Sequence, residues 1–592
     1  MSANRDHNVG RLGLALVCIL SAVVLLALRA AELSGMSSGF AARTVVGEWY
    51  FFSHHLLYQP IVRIFASALG PIGCDVVCAG QVHSILWAMV AVGSAYAIVH
   101  FLTHSIRAAV AAAALVLFSN GFWIFATQLE PYVPLLGLDT LIAAIVLTRP
   151  ERSLGRLEIG VLTGLFSFSL FFHQANVFFL VPLAIYLTVA QGRAGFWAVF
   201  KIGVLSGLIA LGVNVLAFWG THPGADFRDF YLWLNYYGVI SNDTHGSWDE
   251  LRTMDTGRMR EALRSLVSTF ISTPQGVVQK PVRLLVAAAL ALIVVWNAVQ
   301  VKRQRAHARA RLLLLLWTAT FVIFFWWWQP GVWKFYIVVV TPLAILGTLM
   351  AMDIAGSISA APTRRTVVGV FSGCAIAAVA AVNLHNSIWP LAAKGSDIVA
   401  LSGKLVEATP SDCMIYTERR FAGYIGYYFN RSSRSFELMF LKYHYSQVQP
   451  EIADAISASI DLKEDSCDVI PLNWLSHQNY ERKNGRRGMR LVEGAEQTES
   501  EMPEWDEFIW WILEVRPAPD GGGVTHDVFT LFQIGAGDTF VRIDRRKREQ
   551  VESIETILER IQEATDRYPL GALAGDEYAR TGDFRLRMFS YY

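Results

Sequence analysis

The sequence predicts a polytopic α-helical membrane protein with a C-terminal extracytoplasmic α/β domain. Three observations predict it. The 592 residues are 54% hydrophobic and only 17% charged, whereas soluble domains run about 25% charged. The apolar residues gather in long runs between positions 11 and 390, and the stretch 391–592 reads as soluble protein. Lysine and arginine recur in short connections on one side of those runs. An all-soluble enzyme, a disordered chain and a collagen-like fibre are excluded. A net charge of +1 gives no basic surface for nucleic acid.

About 20 apolar residues cross a bilayer. Such runs lie near 11–31, 81–102, 107–127, 131–148, 158–174, 176–190, 198–219, 282–300, 312–328, 333–353 and 366–388, giving eleven expected spans. The first is long for a secretion signal and reads as a retained helix. Arg5 and Arg11, the three arginines of 149–156, Arg193, the five basic residues of 302–311, and Arg364 with Arg365 then share one side. The positive-inside rule makes that side the cytoplasm. The N-terminus is therefore expected inside and the C-terminal domain outside. The expected domains are 1–390, with outer loops 32–80 and 220–281, and 391–592.

Polar and aromatic residues of functional character collect on the outer side. The first outer segment, GEWYFFSHHLLYQPIVRIFASALG from Gly47, has an apolar stripe at Leu56, Leu57, Ile61, Ile64, Phe65 and Leu69. It is too polar to span and is expected to lie at the interface. Glu48, His54, His55, Tyr58 and Arg63 ride on it or just before it. The turn QLEPYVP brings Glu130 and Tyr132 to the mouth of two helices, where an acid is costly unless it meets water or a polar cavity. The turn FFHQAN places His173 and Gln174 between two apolar runs. The segment WWWQPGVWKFY ends in a span, and Lys334 stands there on the side where basic residues are disfavoured. Each feature also has an ordinary structural reading: a wet helix face, an exposed acid, a helix-end histidine, a snorkelling lysine. The loop 220–281, rich in aromatics and acids, fits a lid or an interfacial helix.

Together, Glu48, HHLLYQP, the Glu130–Tyr132 pair, the FHQ turn and WWWQPGVWKFY resemble the GT-C membrane glycosyltransferases. They are similar to the dolichyl-phosphate-mannose-dependent, protein O-mannosyltransferase-like members and to their bacterial relatives. The resemblance covers 1–390. It implies an inverting glycosyltransferase moving a sugar from a polyprenyl-phosphate donor to a glycan, lipid or protein acceptor at the outer face. In such enzymes the first outer loop bears the catalytic or acceptor-binding carboxylate, which maps onto Glu48. His54, His55, Tyr58, Arg63, Glu130, Tyr132, His173, Gln174 and Lys334 are the implied donor- and substrate-binding residues. The acceptor hydroxyl needs a base and the phosphate leaving group a cation, for which Lys334, Arg63 and His173 are candidates. The loop lacks the acid pair many members carry, so divalent-metal use stays open and no other cofactor is implied. No metal-ligand cluster and no WWD-type acceptor signature stand in the chain.

Cys413 and Cys467 each open an expected strand and could pair in an oxidising compartment. Cys74 and Cys78 lie four apart in a loop, with no histidine pair at zinc spacing. Further strands are expected at Phe508–Val515 and Val528–Ile534, and helices at Ile398–Glu407, Ala422–Asn430 and Glu549–Asp566. A transporter or flippase is the second reading and an inactive scaffold the third. Against transport, the spans hold few ionisable residues at mid-depth, where transport pathways place them; Asp139 and Asn214 are the exceptions, and neither has an obvious partner in the sequence. The compact N-terminus and scarce glycosylation triplets lean toward a bacterial inner membrane.

Overall fold

A computed structural model describes residues 2–33, 41, 44, 51, 53–149, 153–234, 256–272, 279–304, 307–357, 362–393, 397–411, 413–417, 425–429, 431, 433–435, 467–471, 529–534 and 538–544. The chain divides into two compact units. One comprises Met1–Ala31, Trp49–Gly395 and Tyr591–Tyr592; the other comprises Glu32–Glu48 and Ser396–Ser590.

The first unit is helical. In order it contains α1 (Ser2–Ala27), α2 (Tyr58–Leu69), α3 (Val76–Thr103), α4 (Ile106–Leu117), α5 (Asn120–Ala126), α6 (Tyr132–Leu147), α7 (Arg156–Phe172), α8 (Leu180–Gln191) and α9 (Arg193–Thr221). There follow α10 (Phe227–Leu234), α11 (Thr256–Phe270), α12 (Gln279–Lys302), α13 (Ala308–Trp328), α14 (Val340–Ser357), α15 (Pro362–Asn383) and α16 (Trp389–Ala393). Among the described residues eight helices are long and apolar enough to cross a membrane, and a ninth span exists if the bent pair α4–α5 is one. Each of the eleven expected windows holds a helix; α8 reaches spanning length with the 3₁₀ turn Gln174–Phe179 before it, but α6 and α7 fall short. At 16 and 17 residues, α6 and α7 are about 24–26 Å long at 1.5 Å per residue, less than the roughly 30 Å hydrocarbon core. The chain is a multi-pass integral membrane protein.

The break between α4 and α5 bends the chain by 68°. Asn383 holds it. Its amide donates to the carbonyls of Phe118 (2.7 Å) and Phe270 (2.9 Å), and its side-chain oxygen accepts from the Ser272 amide (2.7 Å). A π-helical turn, Leu384–Ile388, follows directly, and the Ser387 hydroxyl donates to Asn120 (2.6 Å). Two chain breaks, between α4 and α5 and after α11, are thereby closed by one side chain, that of Asn383, which satisfies backbone groups left open at helix ends. At the other end of the bundle, buried Arg311 on α13 bonds Asn297 of α12 (2.6 Å) and Asp353 of α14 (2.9 Å). Close packing of α3 on α6 depends on Gly137, where a Cβ would meet the Trp87 carbonyl at 2.8 Å.

The interfacial reading of α2 leaves its stripe toward lipid, and the buried side is another one. Tyr58, Gln59, Pro60 and Val62 are buried, whereas Ile64 is 63% exposed. In a membrane setting the apolar stripe can face lipid, which leaves the polar face to turn inward against the protein.

In the second unit, α17 (Asp397–Glu407) precedes a mixed sheet of order β2-β1-β3-β5-β4. Its strands are β1 (Cys413–Thr417), β2 (Ser433–Ser435), β3 (Cys467–Pro471), β4 (Phe529–Ile534) and β5 (Asp538–Asp544). β1 runs parallel to β2 and β3, while β5 is antiparallel to β3 and β4. Cys413 is disulfide-bonded and lies opposite Cys467 in the β1–β3 register. β2 and β5 were not expected from the sequence. The expected elements at Phe508–Val515 and Glu549–Asp566 lie outside the described residues.

Cys74 and Cys78 form a disulfide at the start of α3, with their Cα atoms 5.3 Å apart. Their spacing alone gives no sign of this pairing. Asp75 between them caps α3 by accepting from the Cys78 amide at 2.8 Å, and this cap brings the two thiols onto one turn.

Candidate functional site

The site is built at helix ends of the first unit. α7 ends at Phe172, and His173 follows in extended conformation as the cap of a short 3₁₀ turn, Gln174–Phe179. The His173 Nδ1 accepts from the Ala175 amide at 3.0 Å. In the neutral ring the proton is then on Nε2. That nitrogen lies 2.8 Å from the Tyr132 hydroxyl and donates to its oxygen, which directs the tyrosine proton away from His173. Tyr132 stands at the start of α6, directly after the Gln128–Pro131 turn.

The Ser53–His55 turn packs against this edge. His55 Nδ1 donates to the Phe172 carbonyl at 2.7 Å, so its Nε2 carries the lone pair. The two imidazoles are thus set in opposite tautomers, with ring centroids 5.0 Å apart. Gln174 donates to the Ser53 carbonyl at 3.0 Å, and the Ser53 hydroxyl donates to the Trp233 carbonyl of α10 at 2.8 Å.

Lys334 enters from the 3₁₀ segment Trp333–Val339. Its Nζ is 4.0 Å from Glu130 Oε2, and the two side chains are 8% and 3% exposed. The ammonium also lies 5.4 Å from the centre of the Tyr132 ring and 5.8 Å from that of Phe335. It is therefore buried beside an acid and two rings rather than snorkelling to water. Glu130 is likewise buried, not an exposed loop acid.

The electrostatics follow from burial. Desolvation, with the neighbouring His55, pushes His54 down to about 3. Desolvation holds His55 down to about 4, opposed by its bond to the Phe172 carbonyl and reinforced by Lys334. His173 is lowered well below its ordinary value by burial, then by His55, His54 and Lys334. Tyr58 is raised well above its usual value by burial and by Glu130, against a hydrogen bond with Ser84. At neutral pH the imidazoles are uncharged, so the fixed cation of the cluster is Lys334.

The structure thus brings together His54, His55, Tyr58, Glu130, Tyr132, His173 and Lys334, with Gln174 tied in through Ser53. Arg63 is half-buried on α2, five residues beyond Tyr58, which turns it about 140° around the helix axis from that residue. Glu48 lies outside the described residues. Among the described residues no group of three or more His, Cys, Asp or Glu could hold a metal ion. Sequence reasoning missed Ser53, Ser84 and Phe335. Phe335 adjoins Lys334 and was open to inference; the bond from His55 to a backbone carbonyl was not. Asp139, partnerless in the sequence reading, accepts from Asn176 at 2.8 Å. Asn214 donates to Ala210 within its own helix at 2.8 Å.

No model of a protein family matches this chain, and no curated protein sequence matches it. Among solved structures it is similar to ArnT from Cupriavidus metallidurans in the apo state. Identity is 11% and the TM-score 0.50, over 80% of this chain and 95% of that one. It is also similar to that ArnT bound to undecaprenyl phosphate, at 12% identity and TM-score 0.47, over 80% and 94% of the two chains. The Archaeoglobus fulgidus oligosaccharyltransferase in complex with Zn and sulfate is similar at 12% identity and TM-score 0.48, over 80% and 70%. The likeness to apo ArnT concerns the fold, and at that level it bears out the GT-C-type architecture read from the sequence.

Proposed function

We propose that this protein is a glycosyltransferase that moves a sugar from a polyprenyl-phosphate donor to a glycan, lipid or protein acceptor at the outer face of the membrane. The observation that carries the reading is Lys334, a cation buried at the start of a span and facing Glu130 and Tyr132 at 4.0 and 5.4 Å. A lipid-linked donor keeps its phosphate at the membrane surface, where this cluster would meet it. The fold shared with apo ArnT supports the same reading, and undecaprenyl phosphate, the molecule bound in the second ArnT structure, is the donor lipid to try first.

In the proposed reaction the acceptor oxygen attacks the anomeric carbon, the carbon–phosphate oxygen bond breaks, and configuration inverts. Glu48 takes the acceptor proton. Lys334 stabilises the phosphate as its charge grows, and the Tyr132 hydroxyl, oriented by His173, donates a hydrogen bond to it. His54, His55, Tyr58, Glu130 and Gln174 shape the donor site, with Arg63 at its margin. The positive-inside pattern supports an inside N-terminus, with 391–592 outside as cover or acceptor-binding domain, and a bacterial inner membrane suits the whole.

Sugar release from a radiolabelled polyprenyl-phosphate sugar tests this, comparing wild type with Glu48→Gln, each with and without chelator. Turnover in wild type that collapses in the variant is the expected result. No turnover with a panel of donors, from folded and membrane-embedded protein, would refute it. The buried Asp139–Asn176 pair within the bundle favours a second reading, a transporter. Lipid movement across sealed proteoliposomes without sugar transfer would support that instead.

A further inference from the structure

α11 has two unlike faces. One turns into the bundle: the Thr269 hydroxyl donates to the Trp333 carbonyl at 3.1 Å, and buried Arg258 donates to the Trp327 carbonyl. The other presents Met259, Arg260, Leu263 and Arg264, a spacing that places them side by side on a helix. Met259 is 61% exposed and Leu263 46%. α12 packs on α11 and adds Lys280 and Arg283 from its first turns. Arg264 and Arg283 are near enough to repel one another. Among the described residues, Arg260, Arg264 and Lys280 have no acidic partner. One turn further into the span, Leu284 and Leu285 are 70% and 71% exposed.

Cations interleaved with exposed apolar side chains, continuous with the apolar wall of a span, suit the boundary between headgroups and acyl chains rather than water. They also stand on the side where the charge pattern of the chain disfavours them, so a counter-anion is needed there. We propose that this face of α11 and the start of α12 docks onto anionic phospholipid headgroups of the outer leaflet. The guanidinium groups bond the lipid phosphates in the bidentate geometry they favour. A phosphate shared by Arg264 and Arg283 relieves their repulsion. Met259 and Leu263 sink among the chain ends. The inference is independent of glycosyl transfer.

Full-length protein in vesicles of equal parts phosphatidylglycerol and phosphatidylcholine tests it. Spin-labelled analogues of each lipid report which one the protein retains. Wild type is expected to prefer phosphatidylglycerol, with the preference falling as salt rises. Removing each charge should cost roughly fivefold, so the triple variant Arg260→Gln, Arg264→Gln, Arg283→Gln loses the preference. The Lys triple variant at the same positions keeps it, and Arg193→Gln, on the opposite side of the bundle by the charge pattern, leaves it unchanged. Absence of preference in wild type overturns the proposal, as does a preference that survives in the Gln triple variant with native helix content. A second copy or another protein lost from the Gln variant in place of lipid would overturn it too.

Discussion

Glu130→Leu is the perturbation whose outcome the geometry fixes most closely. At 4.0 Å and an effective dielectric constant near 20, the Lys334–Glu130 pair attracts by about 4 kcal/mol. Desolvation of the two groups, several kcal/mol each, nearly offsets this while both are present. Removing the carboxylate leaves the ammonium buried and its desolvation uncompensated. The rings of Tyr132 and Phe335, at 5.4 and 5.8 Å, return about 1–2 kcal/mol. The single variant should therefore lose about 3 kcal/mol of stability, and Lys334→Met a similar amount. The double variant Glu130→Leu, Lys334→Met strands no charge and should lose about 1 kcal/mol. Reversible unfolding in detergent micelles, followed by circular dichroism, gives the double-mutant cycle. Single variants within about 0.5 kcal/mol of wild type, or a double variant equal to the sum of the singles, would refute the reasoning.

The imidazoles give a pH dependence. His54 and His55 are held near 3 and 4 in the folded protein, against 6.5 when unfolded, so the unfolded chain binds more protons between those values. Stability should be fully present above pH 6.5 and fall as pH drops toward 4, by up to about 1.4 kcal/mol per pH unit for each group; unfolding series across that range check it, and His55→Gln should flatten the slope. Asn383→Ala removes three hydrogen bonds to backbone groups and should cost about 3 kcal/mol at roughly 1 kcal/mol each, read in the same unfolding assay. The Cys74–Cys78 disulfide closes a loop four residues apart, so chain entropy limits its contribution to about 2 kcal/mol. Cys74→Ser with Cys78→Ser should lower the melting temperature slightly, and a loss of the fold would contradict that.

Much of the fold was legible because bilayer length, apolar runs and charged connections are local properties of sequence. The windows over α3, α9 and α14 needed nothing else. What failed was length at α6, where burial by neighbouring helices replaces contact with lipid and a shorter apolar run suffices. The exposed Ile64 of α2 fits the interfacial helix expected there, but which of its residues turn inward was not legible, since a stripe reads the same whether it meets lipid or protein. Within the site, Glu130, Tyr132, His173 and Lys334 were legible because polar residues at span ends are costly unless used. Their joining was not, since the contacts that set the tautomers of His55 and His173 run to the Phe172 carbonyl and the Ala175 amide. Such backbone partners leave no trace in residue identity.

The central claim is that the buried ammonium of Lys334 serves a lipid-linked phosphate. Its most direct test is sugar transfer from polyprenyl-phosphate-linked donors by purified wild type and by the Lys334→Met, Glu130→Leu double variant, which is expected to keep its fold. Transfer by wild type and a loss of about a hundredfold or more in the variant are expected. Equal transfer by both proteins would contradict it.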